Sequence, residues 1–415
     1  MNSVVPWHRT HVTSAIREFN NKSKMKSKLT DSDGFAFLKQ RRTNLILTAA
    51  MAALAGLPLV ANAHDRDDDH ETHYQQINLV SDITGVAQLQ DTNLVNAWGL
   101  AFGPTGPFWV GDNAAGKATL YAVTNDASGA PHVTRNTRVV TIPGNGGVTG
   151  QIFNSNTNAF NGDVFVFVNT DGTISGWRPA LGNFAEVLAT RAGAIYTGAT
   201  FVTNNGAPLL LVANFSEGTV DEYDSALNLI GQLTDRRAPV GYAPFNVQTV
   251  AGTVFVTFAK QDLATHGVAR GRGRGLIDIF DPARGTFTRF ATGKAVGGNI
   301  REMDSPWGVA LAPASFGSRA GQLLVGNFGS GTIMAFGVNG KFRGLLRGDQ
   351  ECPVIIDGLW ALSFGATGNA GVATDLYFTA GPNNEAHGLF GVIQPIADDN
   401  NDEDHRDDHH HGSRY

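Results

Sequence analysis

The chain has 415 residues, 42% of them hydrophobic and 16% charged: enough apolar material for a large core, and too little charge for a disordered polyelectrolyte. Fifty glycines without a collagen period, well above the average share of roughly 7%, ask for many tight turns and so for an all-β protein. The single cysteine, Cys352, excludes an intrachain disulfide framework, a cysteine-based zinc cluster and a CxxC redox pair. In chain order, Arg41 and Arg42 precede an apolar run from Leu45 to Val60, and Ala61-Asn62-Ala63 supplies the small residues of a cleavage site. A secretory signal peptide cut after Ala63 is predicted, because the run is shorter than the roughly 20 residues of a membrane-spanning helix. Met1 and Met25 are both possible starts. The expected organisation is a leader and signal peptide over 1–63, an acidic His-rich tail over 64–73, one domain over 74–397 and a second acidic His-rich tail over 398–415. After cleavage 22 Lys and Arg stand against 34 Asp and Glu, and the two tails hold most of that surplus. A nearly neutral body argues against nucleic acid as a partner. The expected location is secreted or periplasmic, with no stable membrane span.

Internal repetition carries the fold prediction. Tyr74–Ser81 reads as a lone strand, and six units of about fifty residues follow it. The first contains AWGLAFG (97–103), PFWVGDN (107–113), GKATLYAV (116–123) and TRVVTIP (137–143). The others run between Gly150 and Thr190, Gly198 and Asp235, Phe245 and Gly293, Trp307 and Gly348, and Leu359 and Pro395. Five units hold four strands and the sixth holds three. A propeller blade is a four-stranded sheet and its ring must close without an open edge. A six-bladed β-propeller is therefore predicted, all-β, with four-stranded blades and a 3+1 closure in which the N-terminal strand completes blade six. The gap from Gly293 to Pro306 leaves no room for a seventh blade, and a two-domain arrangement would leave the lone strand without a partner.

Four stretches, NAWGLAFGPTGPFWVGDN (96–113), SPWGVALAP (305–313), DGLWALSF (357–364) and FTAGPNNEAHGLFG (378–391), resemble a family of uncharacterised secreted bacterial proteins with NHL-like propellers. The resemblance spans about residues 76 to 395 and implies the propeller fold and secretion. It brings no activity with it. The charged His/Asp tails depart from the family, whose members sometimes carry a carboxy-terminal sorting signal with a hydrophobic helix.

In a propeller, the connections between blades and the hairpins between second and third strands share one face, here called the top, where loops converge on the channel mouth. Blade connections bring Asn96, Gln151, Tyr242, Arg301, Glu302, Asp304 and Asp357 there, and hairpins bring Asp112, Asn113, Asn169, Asn214, Lys260, Asn327, Glu385 and His387. Ligand binding on this face is expected from Asn96, Asp112, Lys260, Arg270, Arg272, Asn327, Glu385 and His387. Asp112, Asn169, Asn214 and Asn327 each precede a hairpin glycine, so turn-shaping by Asx side chains is the competing account. Trp98, Trp307 and Trp360 stand at equivalent places in inner strands and read as blade-to-blade packing. Asp304 and Asp357, each just before an inner strand, could hold Ca²⁺ or another divalent cation together with Asn96, or could simply cap their turns. Glu385 and His387 in GPNNEAHG add a potential base or ligand. In HGVARGRGRG (266–275) Arg270, Arg272 and Arg274 could clamp a uronate or phosphate, against the plainer reading of a solvated hairpin tip. The tails, with His70, His73, His409, His410 and His411, have a composition that binds divalent metals loosely.

Nucleophile machinery is missing: the body holds three histidines, His132, His266 and His387, with no G-x-S-x-G elbow and no HExxH. Cys352 reads as a buried, inert thiol. The expected function is a secreted module that binds a small molecule, glycan or protein on its top face. The alternatives are a metal-dependent lactone or ester hydrolase or lyase with a cation at the channel mouth, and a surface or matrix component whose tails gather cations. Enzyme status and oligomeric state stay open.

Overall fold

The computed structural model describes residues 72–293, 303–366 and 368–396. The six sheets follow the repeats. Blade one is Ala97–Ala101, Phe108–Asp112, Lys117–Asn125 and Pro131–Thr141; blade two is Val148–Phe153, Phe165–Asn169, Thr173–Trp177 and Glu186–Thr190; blade three is Tyr196–Asn204, Ala207–Asn214, Thr219–Tyr223 and Leu229–Leu233. Blade four is Tyr242–Val250, Thr253–Lys260, Gly275–Asp281 and Thr286–Thr292; blade five is Pro306–Leu311, Leu323–Asn327, Ile333–Phe336 and Phe342–Leu345. Blade six takes Leu359–Phe364, Leu376–Ala380 and Leu389–Pro395 from the C-terminal end, and Tyr74–Ser81 joins as its fourth strand. Tyr74 pairs with Pro395 and Ser81 with Leu389, antiparallel, so the predicted 3+1 closure is the one observed. One detail differs: the two-residue strand Leu89–Gln90 adds to Val80 and Ser81 in parallel, making blade six five-stranded. It covers the last two residues of the edge that the N-terminal strand would otherwise leave open.

The first strand of each unit touches the first strands of both neighbouring units, and the series closes from blade six onto blade one, so these strands line the axis. Their approach is too close for side chains at several points, two of them against backbone carbonyls. A Cβ on Gly99 would lie 2.5 Å from the Thr149 carbonyl oxygen, and one on Gly308 would lie 2.5 Å from that of Trp360. All six blades break register between first and second strands near the start of the first strand, as at Ala97/Leu100, Tyr196/Gly198 and Leu359/Leu362. Such bulges re-aim side chains at barrel and propeller rims.

The three inner-strand tryptophans go beyond packing between neighbouring blades. Trp98 of blade one stacks on Trp360 of blade six at 3.6 Å, and Phe328 of blade five stacks on the other side of Trp360 at 3.8 Å. Trp307 of blade five meets Trp98 edge-on at 6.4 Å, and Phe245 of blade four reaches Trp360 at 5.8 Å. Contacts between non-adjacent blades have to cross the axis. The cluster is therefore an aromatic plug in the channel, all of it buried. Beneath it lies a cavity of about 200 Å³ whose lining includes Gln151, Thr200, Asn246, Gln248, Thr249 and Ser363.

Candidate functional site

Above the plug, loops of blades four, five, six and one meet. Asn96 enters blade one in the left-handed region, φ 50°, with its side chain buried. Its carboxamide oxygen accepts the Trp360 indole N–H at 3.0 Å, and its amide nitrogen donates to Glu385 Oε2 at 3.0 Å and Asn113 Oδ1 at 3.2 Å. A Cβ on Gly381 would stand 2.2 Å from that Asn96 oxygen, so the neighbouring loop can approach only as glycine. Glu385 itself ends a turn in which Asn383, Asn384 and Glu385 all have positive φ, 56°, 54° and 67°. Three consecutive left-handed residues cost of order 1–2 kcal/mol each, a strain of the kind that collects at binding and catalytic loops.

Facing Glu385 is Arg270, carried by residues 261–274, the insertion between the second and third strands of blade four. Its guanidinium carbon lies 4.1 Å from the centre of the Phe328 ring, and one nitrogen stands 3.3 Å from Glu385 Oε1. The insertion thus crosses the mouth as a strap from blade four to blade six. Asp304 holds it down: Oδ1 accepts the Gly271 N–H at 2.7 Å and the Ser305 hydroxyl at 3.1 Å. Arg274 returns to the Arg270 carbonyl at 2.8 Å, while Arg272 is exposed.

The remaining expected residues fall into other company. Asp357 accepts the Asn383 N–H at 2.7 Å and so shapes the turn that carries Glu385. Asn96, Asp304 and Asp357 each engage a separate set of partners, and among the described residues no group of three or more His, Cys, Asp or Glu gathers where it could hold a metal ion. Asn327 is buried, accepting the Asp304 N–H at 2.9 Å and donating to the Thr332 carbonyl at 3.1 Å, which is loop-shaping geometry. Lys260 is half-buried at the end of its strand, in register with Tyr242. Asp112 lies inside blade one, fully buried, and burial pushes its carboxyl well above the ordinary range. Gln151 sits within the inner strand of blade two, donating to the Gly99 carbonyl at 3.1 Å rather than reaching the top face. His73 is 2.9 Å from Glu351 at the edge of blade six, whereas His70, His409, His410, His411, Arg301, Glu302 and the signal peptide lie outside the described residues. Cys352 is exposed, not buried as expected, because it follows a short solvent-facing turn, Asp349–Glu351.

His387 has a partner that the repeat pattern does not single out. Its Nδ1 stands 2.8 Å from Asp82 Oδ2, and Asp82 Oδ1 accepts the Gly388 N–H at 2.9 Å. The signal was available: once Tyr74–Ser81 is laid against the last strand of blade six, the residue after Ser81 must stand beside the residues before Leu389. Phe328, the floor under Arg270, carried no such signal.

No family model matches the chain. Two uncharacterised proteins of Acanthamoeba polyphaga mimivirus are similar to it: one is 28% identical over 330 residues, 76% of this chain and 78% of that one. The other is 26% identical over 335 residues, 76% of this chain and 84% of its own. These relatives are viral, so they lend no support to the bacterial family suggested by the motifs. Among solved structures, a streptogramin B lyase overlaps 79% of this chain and 98% of its own with a TM-score of 0.43 at 11% identity. Virginiamycin B lyase from Staphylococcus aureus overlaps 79% and 100% with a TM-score of 0.44 at 11% identity. Overlaps this loose carry no argument about activity.

Proposed function

We propose that the protein is a secreted binding module whose top face takes an anionic carbohydrate, a uronate ahead of a phosphate, at Arg270. The observation that supports this reading is the state of the Arg270 guanidinium: braced on Phe328, yet tied to Glu385 by one contact at 3.3 Å with both partners about one-third exposed (33% and 35%). A surface pair of this kind is worth roughly 0–1 kcal/mol. A ligand carboxylate making two parallel hydrogen bonds to the same planar fork would displace Glu385 at little cost. Glu385 meanwhile stays held by Asn96, ready to accept a ligand hydroxyl.

Isothermal titration calorimetry with oligogalacturonate, inorganic phosphate and CaCl₂ tests the reading. Oligogalacturonate should bind the wild-type protein, and Arg270→Ala should weaken it by tenfold or more, the ~1.5–3 kcal/mol of a charge-assisted hydrogen bond. Equal affinity in the variant would remove Arg270 from the site. Stoichiometric Ca²⁺ uptake that disappears in Asp304→Ala or Asp357→Ala would instead favour a cation at the mouth.

A further inference from the structure

We infer that the top-face site also performs proton chemistry, with His387 as its base and Asp82 as the residue that positions it; this rests on the uronate reading above. The carboxylate of Asp82 is clamped by the Gly388 N–H at 2.9 Å, and its second oxygen stands 2.8 Å from His387 Nδ1. A carboxylate only accepts, so the shared proton sits on Nδ1 and the basic lone pair is left on Nε2. The histidine backbone is held as well: its carbonyl accepts the Asn96 N–H at 3.1 Å and its own N–H donates to the Pro382 carbonyl at 3.3 Å. Ring tautomer and backbone are therefore set before any ligand arrives, and about 35% of the imidazole stays exposed.

Location separates this dyad from two other histidine–carboxylate pairs among the described residues. His132–Asp126 is mostly exposed at a turn between the outer strands of blade one, and His73–Glu351 joins the edge of blade six to the loop after blade five. His387 instead lies two residues from Glu385, in the loop whose left-handed turn places a carboxylate against both Asn96 and Arg270. One strained loop thus carries both an oriented base and, two residues before it, a carboxylate held against a cation.

The reaction class that uses these parts is β-elimination from a uronate. Arg270 binds the sugar carboxylate, which acidifies the proton on the adjacent ring carbon and stabilises the charge that develops when it leaves. His387 Nε2 takes that proton. The electron pair left behind becomes a carbon–carbon double bond, the neighbouring carbon–oxygen glycosidic bond breaks, and the departing oxygen takes the proton back from the imidazolium. One glycosidic link becomes one alkene and one hydroxyl, and neither water nor an electron acceptor is consumed.

The test follows polygalacturonate with two readouts on the full chain: calorimetric binding, and the ultraviolet absorbance of the new conjugated double bond. Wild type should bind and turn over. His387→Gln should bind alike while turnover falls by about 10²–10⁴-fold, the usual contribution of a general base. Asp82→Asn should lower kcat with KM nearly unchanged and move the acid limb of the pH profile, which a purely structural change would not do. Thermal unfolding of both variants checks that the fold is intact, and Nδ1–H protonation of His387 read by nitrogen NMR in the wild type covers the case in which a variant fails to fold. Binding without any double bond in the wild type, undiminished turnover in His387→Gln, or the opposite tautomer would overturn the inference and leave the binding reading standing. Absence of binding would remove both.

Discussion

Asp112 and Asn214 end the second strands of blades one and three, yet only one of them is satisfied. Asn214 donates to Asp221 at 3.0 Å and accepts the Ser216 hydroxyl at 2.9 Å. Neither carboxyl oxygen of fully buried Asp112 has a well-formed hydrogen bond. Burial pushes its carboxyl well above the ordinary range; the Thr119 hydroxyl beside it opposes that, nearby Asp91 adds to it, and Lys117 opposes it. The folded protein therefore holds a proton there that the unfolded chain releases at an ordinary carboxylate pH. The stability from this group is full below about pH 4 and is lost as the pH rises. Burial likewise pushes Asp163 and Asp278 up to about 6, against the pull of Arg178 and Arg289, so they act in the same direction between about pH 4 and 6. Asp112→Asn keeps the shape and removes the ionisation. Thermal unfolding followed by circular dichroism should show no gain near pH 4 and a rise near pH 8, equivalent to about 1–3 kcal/mol for a relieved buried polar group. An equal gain at both pH values would mean that Asp112 is not the proton holder.

Among the elements, the strap over residues 261–274 is the one whose behaviour can be separated from the fold. Its ends are tied by the Gln261 N–H on the Gly241 carbonyl at 2.7 Å and the Ser305 N–H on the Arg274 carbonyl at 3.3 Å, and its middle by Gly271 on Asp304, Arg270 on Glu385 and Phe328, and the Ala269 N–H on the Lys260 carbonyl at 2.8 Å. The bond to Asp304 is the charge-assisted one that is not shared with solvent, since Asp304 is only 6% exposed. Removing it should free the strap by the ~1.5–3 kcal/mol of such a bond, a roughly 10–100-fold increase in the opened population. In Asp304→Ala, trypsin should cut after Arg270, Arg272 or Arg274 faster by that factor, read by intact mass, with little change in thermal unfolding. Unchanged cleavage would show that the strap is held elsewhere. A hairpin tip is legible in the glycine-rich run of this segment, but its anchoring is not. A hydrogen bond between residues 33 positions apart leaves no trace in local composition.

For the whole molecule the closing contact is the pairing of Tyr74–Ser81 with Leu389–Pro395. Every other blade is built from consecutive strands, so among the described residues blade six is the one sheet that joins strands from both ends of the chain. Tyr74 and Leu79 are buried in two different core clusters on either side of blade six. A chain starting at Asp82 should lose more than one strand, exposing the edge of Leu389–Pro395 and opening the ring between blades six and one. It should unfold over a broader range and at lower temperature, and adding a peptide of residues 72–81 should restore the sharp transition. A truncated chain as stable as the intact one would mean that the ring does not depend on its seam.

What could be read from residues alone was what repeats. Each unit must bury its own apolar strands, so the period, the strand count and the odd strand at the start determined a six-bladed ring and its seam. The top-face position of Asn96, Glu385 and Arg270 followed from that topology, and so did the turn-shaping account of Asn327, since an Asx side chain acts on backbone within a few residues. Only the tertiary structure decided which of those residues meet. That Phe328 supports Arg270, that Asp82 orients His387, and that Trp98, Trp307 and Trp360 join in one plug across the axis all depend on side chains from different blades converging. Such meetings are set by the curvature of the closed ring, a property of all six sheets together that no local run of sequence encodes.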